Sequence, residues 1–292
     1  MQLNPPKKRW RKFGISLACW LVAYLLLCTY LAYKYVHPNR EVSMTPNWVR
    51  EVTIPGSHAQ IPVWASPGLA LKHGKPVVFV LAYGYGGTRE SWASVMADLT
   101  KHGFESVAPC MPGQEASLEQ TVGFGRYEAT TILDTVKWVR GQYSVPPKII
   151  LLGVSMGGAA SWLASEQDPT IDAVVTEGAY AQFDEAMNNW LGRKIPGSPF
   201  YLKPMIWIAS AMAKINPSEI IPSNSAAKWH KPALVIQGSD DKLIPMEHAE
   251  RLAKAANCPL WIVPNASHAQ CFAVASKEYI KRLSAIANSL KR

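Results

Sequence analysis

The chain has 292 residues, 48% of them hydrophobic and 17% charged, with a formal net charge of +9. That length and balance fit one large α/β domain with a short appendage, and they exclude a disordered, fibrous or repeat protein. The charge is uneven: residues 1–40 hold seven Lys/Arg and no acidic residue, leaving 23 basic and 21 acidic side chains for the rest. A near-neutral body removes the argument for nucleic-acid binding that a basic chain would otherwise carry.

The basic excess leads directly into an apolar run. Residues 1–12 form a basic tail ending in KKRWRK, and Phe13 to Val36 follows with Lys34 as its only charge. As a helix those 24 residues span roughly 36 Å, enough to cross a hydrocarbon layer of about 30 Å. Trp10, Tyr33 and Tyr35 lie near its ends, where interfacial rings prefer to sit. The excess of positive charge on the leading side predicts a cytoplasmic N-terminus and an exported remainder: a single-pass signal anchor, facing the periplasm in a Gram-negative cell. A cleaved signal peptide is the alternative, against which stand the long apolar region and the lack of a small-x-small site before His37.

After a connector over 37–47, residues 48–292 read as one domain. Arg50–Ile54 and Ile61–Ser66 predict an antiparallel hairpin. The apolar run Val77–Leu81 predicts a strand covered on both faces, followed by a helix from Glu90 to His102 stopped at Gly103. The cycle repeats through strand Glu105–Ala108, helix Tyr127–Arg140, strand Lys148–Val154, helix Met156–Ser165 and strand Ala173–Thr176. Strand Ala233–Gln237, helix Glu247–Ala256, strand Leu260–Val263 and a helix from Phe272 complete it. Such alternation specifies a mostly parallel sheet with helices on both faces, and sites in such sheets form beyond the carboxyl ends of the strands. About 178–230 breaks the rhythm with Pro, Gly and large apolar residues, among them Trp190, Phe200, Tyr201, Met205 and Trp207. This is too long for a connection and predicts an inserted cap. The five cysteines form no CxxC pattern and read as small buried hydrophobes.

Candidate chemistry sits at three strand ends. Gly153-Val154-Ser155-Met156-Gly157 follows one strand and opens a helix, the context of a nucleophile elbow with Ser155 as nucleophile. A serine needs a base, and His268, in Pro264-Asn265-Ala266-Ser267-His268 after the last strand, is placed to be one. Asp240 and Asp241 both follow strand Ala233–Gln237; periodicity does not choose between them as the group orienting the histidine, and Glu177 is a lesser substitute. Backbone amides of Met156 and of the glycine-rich loop Ala82–Thr88 are candidates for an oxyanion hole.

These residues resemble the α/β-hydrolase superfamily over nearly all of 48–290. They look most like bacterial membrane-anchored hydrolases of the serine-aminopeptidase/monoacylglycerol-lipase-like group. The likeness is carried by AYGYGGT, APCMPGQEAS, GVSMGG, and QGSDDKLIP with PNASH. Its G-x-x-D-x-x-[VI]-P block matches Asp241, its histidine block matches His268, and its oxyanion residue matches Tyr85. The usual His of the family's HG pair is Tyr83 here, and the usual Asp before the P-x-G loop is Cys110. The resemblance implies ester, or less often amide, hydrolysis through an acyl-enzyme, with no metal and no organic cofactor. A peptidase acting on short peptides or envelope amides is the rival enzyme reading, and a non-catalytic binding protein on a hydrolase fold is the rival outside enzymes.

Overall fold

The computed structural model describes residues 7–69, 76–194 and 198–291. His73 and the first half of the basic tail therefore lie outside the described residues. The strands are β1 (Arg50–Ile54), β2 (Ile61–Ala65), β3 (Val77–Ala82), β4 (Glu105–Pro109), β5 (Lys148–Val154), β6 (Ala173–Glu177), β7 (Ala233–Gly238) and β8 (Leu260–Val263). The long helices are α1 (Lys7–Val36), α2 (Ala93–Lys101), α3 (Arg126–Gly141), α4 (Met156–Gln167), α5 (Phe183–Lys194), α7 (Lys203–Ala213), α9 (Met246–Ala255) and α10 (Cys271–Ser289). Two short helices, α6 (Ser198–Tyr201) and α8 (Pro222–Ala227), complete the set.

One sheet runs β1-β2-β4-β3-β5-β6-β7-β8. β1 and β2 pair antiparallel, β2 meets β4 antiparallel, and every pairing from β4 to β8 is parallel. This is the mostly parallel sheet that the alternation predicts, in the α/β-hydrolase arrangement that the resemblance implies. The central strands are covered on both faces: every residue of β3, β6 and β7 is buried, and apart from Thr176, Glu177 and Gln237 none carries a polar side chain. Each fully buried Val, Leu or Phe stabilises the fold by about 1.5–3 kcal/mol.

The chain steps outward from β3 to β4, then returns to place β5 on the other side of β3. The order therefore reverses between β3 and β5, and a crevice opens beyond their carboxyl ends. Ser155 follows β5 directly, and the loop 83–88 follows β3. The first turn of α4 supplies the closeness required. A Cβ on Gly157 would lie 2.1 Å from the Ala82 carbonyl oxygen, so only glycine lets this helix start against the end of β3.

Helices α5 to α8 lie between β6 and β7; α5 and α7, with α1, contribute to a second apolar cluster, whereas Ala226 of α8 packs in the sheet core. α1 includes Lys7 to Lys12, ahead of the apolar run itself. Its side chains are exposed from Trp10 to Ala23, whereas Cys28, Ala32 and Val36 are fully buried. The anchor-like helix is thus partly docked on the body rather than free of it. Its end is tied further by Val122 N–H donating to the Val36 carbonyl (3.1 Å) and by Arg40 donating to the Ser117 carbonyl (2.9 Å). All five cysteines are free; Cys28, Cys110 and Cys271 are buried, Cys258 is half-buried and Cys19 is exposed.

The segment leaving β6 is pinned by a buried histidine. His248 of α9 accepts the Ala181 N–H at its Nδ1 (3.2 Å), a bond that requires the neutral ring. Burial pushes its pKa below the ordinary 6.5, with Glu185 and Glu247 opposing that shift and Arg251 adding to it. A depressed folded value means the unfolded chain takes up the proton first as pH falls. The stability His248 contributes is therefore present above 6.5 and lost as the pH drops toward the folded value. Thermal unfolding at pH 7.5 and 5.5 should show a larger loss of Tm in the wild type than in His248→Asn; equal losses would rule out this histidine as a source of acid sensitivity.

Candidate active site

Ser155 stands at the sharp turn from β5 into α4 with φ 54° and ψ −120°. A non-glycine residue held there costs about 1–3 kcal/mol, and such strain persists only where surrounding structure enforces it. Here Ser155 N–H donates to the Glu177 carbonyl (2.8 Å), and its own carbonyl accepts from Ala159 N–H (3.0 Å). The turn lifts Oγ above the sheet into the crevice.

His268 lies in the loop between β8 and α10, next to Ala269 in the left-handed region (φ 60°). The loop is laced to the one after β7: Asp240 N–H donates to the Ala266 carbonyl (2.9 Å) and Asn265 N–H to Ser239 Oγ (2.9 Å). The ring bridges two partners, with Nε2 2.9 Å from Ser155 Oγ and Nδ1 2.7 Å from Asp241 Oδ2. Of the aspartates left open by periodicity, Asp241 makes this contact, while Asp240 accepts from Ser239 Oγ at the surface (2.9 Å).

The Asp241 carboxylate is buried and fully engaged. Oδ1 accepts the amides of Leu243 (2.8 Å) and Ile244 (2.9 Å), and Oδ2 accepts Gln237 Nε2 (3.1 Å) beside the imidazole. Four donors on two oxygens fix its direction. Glu177 is turned away from this line: its Oε1 accepts the Cys271 N–H (2.8 Å), and burial raises its pKa above the ordinary 4.5.

The loop after β3 runs directly over the serine. A Cβ on Gly84 would approach Ser155 Cβ at 3.0 Å, so the backbone at Tyr85 is held close above the hydroxyl. Gly86 takes φ 70° and its N–H donates to Gln114 Oε1, which fixes the loop's turn. Met156 is the first residue of α4, and its amide has no acceptor within the helix. Tyr85 and Met156 both line a cavity that reaches Ser155.

The two departures from the family pattern touch each other. Tyr83 Oη accepts the Met111 N–H (2.7 Å) and lies 3.8 Å from Cys110 Sγ, both side chains being buried. Burial pushes the Cys110 thiol up to about 12, so it stays protonated and packs behind the loop. Beneath it, Arg89 and Glu115 form a buried ion pair (2.9 Å).

Sequence reasoning missed one neighbour of the site. Tyr35, from the last turn of α1, lines a cavity of about 150 Å³ together with Ser155, Met156, Phe183, Met187 and Trp190. Its aromatic character at a predicted membrane edge pointed to the interface, not to the crevice. A second cavity of about 360 Å³ lies across Ser155, bordered by Trp92, Val95, Glu177, His268 and Phe272. Among the described residues, no group of three or more His, Cys, Asp or Glu is arranged to hold a metal ion.

A family described as alpha/beta hydrolase fold matches residues 77–194. An uncharacterized protein of Escherichia coli O157:H7, YfhR, is 27% identical over 163 residues, covering 51% of each chain. The chain thus spans about half the length of the curated relatives it matches. Among solved structures, an esterase of Pyrococcus furiosus, PF2001, superposes with a TM-score of 0.70 at 22% identity, over 88% of this chain and 98% of that one. A 2-hydroxy-6-oxo-6-phenylhexa-2,4-dienoate hydrolase of Rhodococcus sp. strain RHA1 superposes with a TM-score of 0.56 at 17% identity, over 82% and 98%. The family match over 77–194 and the superpositions agree on the α/β-hydrolase fold.

Proposed function

We propose that this chain, an α/β-hydrolase by fold, is a membrane-anchored serine hydrolase that cleaves carboxylic esters through an acyl-enzyme. The observation that carries the reading is the continuous line from Asp241 through His268 to Ser155, with both contacts under 3 Å. His268 Nε2 accepts the Ser155 proton as Oγ attacks the ester carbonyl carbon. Oxyanion charge is taken up by the amides of Tyr85 and Met156, fixed before the reaction begins. Collapse of the tetrahedral species breaks the ester C–O bond, and the imidazolium protonates the departing alcohol. Water, deprotonated by the same histidine, then attacks the acyl carbon and releases the acid. Asp241 keeps Nδ1 protonated and offsets the charge that the ring acquires.

The membrane assignment is supported by an apolar helix, Trp10–Val36, preceded by basic residues, which predicts a cytoplasmic N-terminus and an exported catalytic domain. One experiment tests both parts. A charged, membrane-impermeant fluorophosphonate applied to cells without an outer membrane, or to spheroplasts, should label the full-length wild type and spare Ser155→Ala. Labelling only after permeabilisation would reverse the topology. No labelling of the folded wild type in either state would end the serine-hydrolase reading and favour a binding protein. Cleavage of aminoacyl amides but not of acyl esters by a labelled enzyme would move it to a peptidase.

A further inference from the structure

The cap and the N-terminal helix are packed in a way that a simple tether does not require. Hydrocarbon begins after Lys12, the last charge before the apolar run, and crossing it takes about 20 helical residues. The part of that run with no protein against it ends at Ala23, eleven residues on and about 16 Å along the axis, roughly half the needed length. The crossing must therefore continue through the stretch from Tyr24 to about Ala32, which is the stretch docked on the cap. There Cys28 and Ala32 share one buried cluster with Met205, Ala209 and Ala213 of α7, and the small Cys and Ala side chains allow close helix contact. The Tyr24 hydroxyl donates to the Tyr201 carbonyl at the corner between α6 and α7. That corner is level with the middle of the apolar run.

The outer face of the corner has the matching chemistry. Phe200, Tyr201 and Trp207 are 72%, 64% and 68% exposed, an apolar grouping whose polar neighbours Lys203, Asp184 and Asn188 border the groove beside Trp207. The Tyr24 bond to the Tyr201 carbonyl sets this corner beside the same apolar run.

Tyr35 lies eleven residues beyond Tyr24, about 16 Å further along the helix, at the membrane surface where lipid ester groups sit. Its ring packs on Phe124 (4.9 Å), Trp190 (5.5 Å) and Tyr85 (5.5 Å), and its carbonyl accepts the Tyr85 hydroxyl (2.8 Å). The helix that enters the membrane thereby also closes the apolar cavity at Ser155.

We propose that α1 is a wall of the substrate site, and that α6 and α7 are sunk into the bilayer beside it. The acyl chain of a membrane-resident ester then reaches Ser155 from the lipid, past Tyr35 and Trp190, and the alcohol portion occupies the larger cavity bordered by Glu177 and His268. This inference rests on the reading of Ser155 as nucleophile.

The test uses the full-length protein in phosphatidylcholine vesicles, with wild type, Tyr35→Ala and Trp207→Lys compared. For each, kcat/KM is measured for a dodecanoyl ester dissolved in the bilayer and for a water-soluble acetyl ester, and Ser155 labelling by fluorophosphonate is followed in the same samples. The dodecanoyl-to-acetyl ratio is expected to fall about tenfold in both variants, with labelling retained in Trp207→Lys. An unchanged ratio in a labelled Trp207→Lys enzyme overturns the proposal, since a water-facing tryptophan on the surface tolerates lysine; that surface variant decides the matter even where Tyr35→Ala fails to fold. A wild type that is folded but unlabelled removes the nucleophile assignment instead, and this proposal with it.

Discussion

Ser155→Ala and His268→Ala, each in the full-length protein, are expected to lower kcat/KM for a good ester substrate by about 10⁵-fold or more, and Asp241→Asn by about 10⁴-fold. The ranking follows from the contacts. Without Oγ no acyl-enzyme forms, and without the ring the hydroxyl retains its proton. Asp241→Asn keeps the shape but replaces one oxygen by an amide NH₂. Oδ1 serves two backbone amides and Oδ2 faces the imidazole and Gln237 Nε2, so the NH₂ is driven toward His268 and Nδ1 must then accept. Nε2 consequently carries the proton, and the base is lost. The double variant Ser155→Ala/His268→Ala should be no slower than either single, because the groups act as a unit. Steady-state kinetics on variants with unchanged circular dichroism check this; additive losses, or a fully active His268→Ala, would show that the hydrogen-bonded line is not the catalytic one.

Gly157→Ala is expected to destabilise the fold by about 3 kcal/mol or more, and to abolish fluorophosphonate labelling, for a reason unrelated to helix propensity. Alanine is the better helix former, so a local argument predicts a gain. The added Cβ, however, would stand 2.1 Å from the Ala82 carbonyl oxygen and 2.6 Å from that of Tyr83, and backbone atoms at a strand end cannot yield as a flexible side chain would. α4 would have to move off the end of β3, carrying Ser155 away from the loop at Tyr85. Gly141→Ala is the control: a Cβ there meets nothing within 4 Å, and its Tm should hold or rise. Equal Tm values for the two variants would contradict the packing at the elbow.

Periodicity along the chain was enough to determine the alternation of strands and helices, because each element's burial is written locally. A β3 covered on both faces must be apolar throughout, and an apolar α1 next to a basic tail is a statement about solvent, independent of the rest of the chain. The order of Ser155, Asp241 and His268 could likewise be read, since each follows a recognisable strand. Other features were decided only by the tertiary structure. Periodicity does not separate Asp240 from Asp241, and although the family block matches Asp241, its contact with a loop 27 residues away is a tertiary fact. Tyr83 and Cys110 read as two unrelated departures until β3 and β4 pair and bring them together. Tyr35 read as an interfacial tyrosine, yet its ring packs on Trp190, far along the chain in the cap. Such contacts join residues of large sequence separation and leave no repeating pattern, because what creates them is the close packing of finished elements rather than the preference of any single residue for water or its absence.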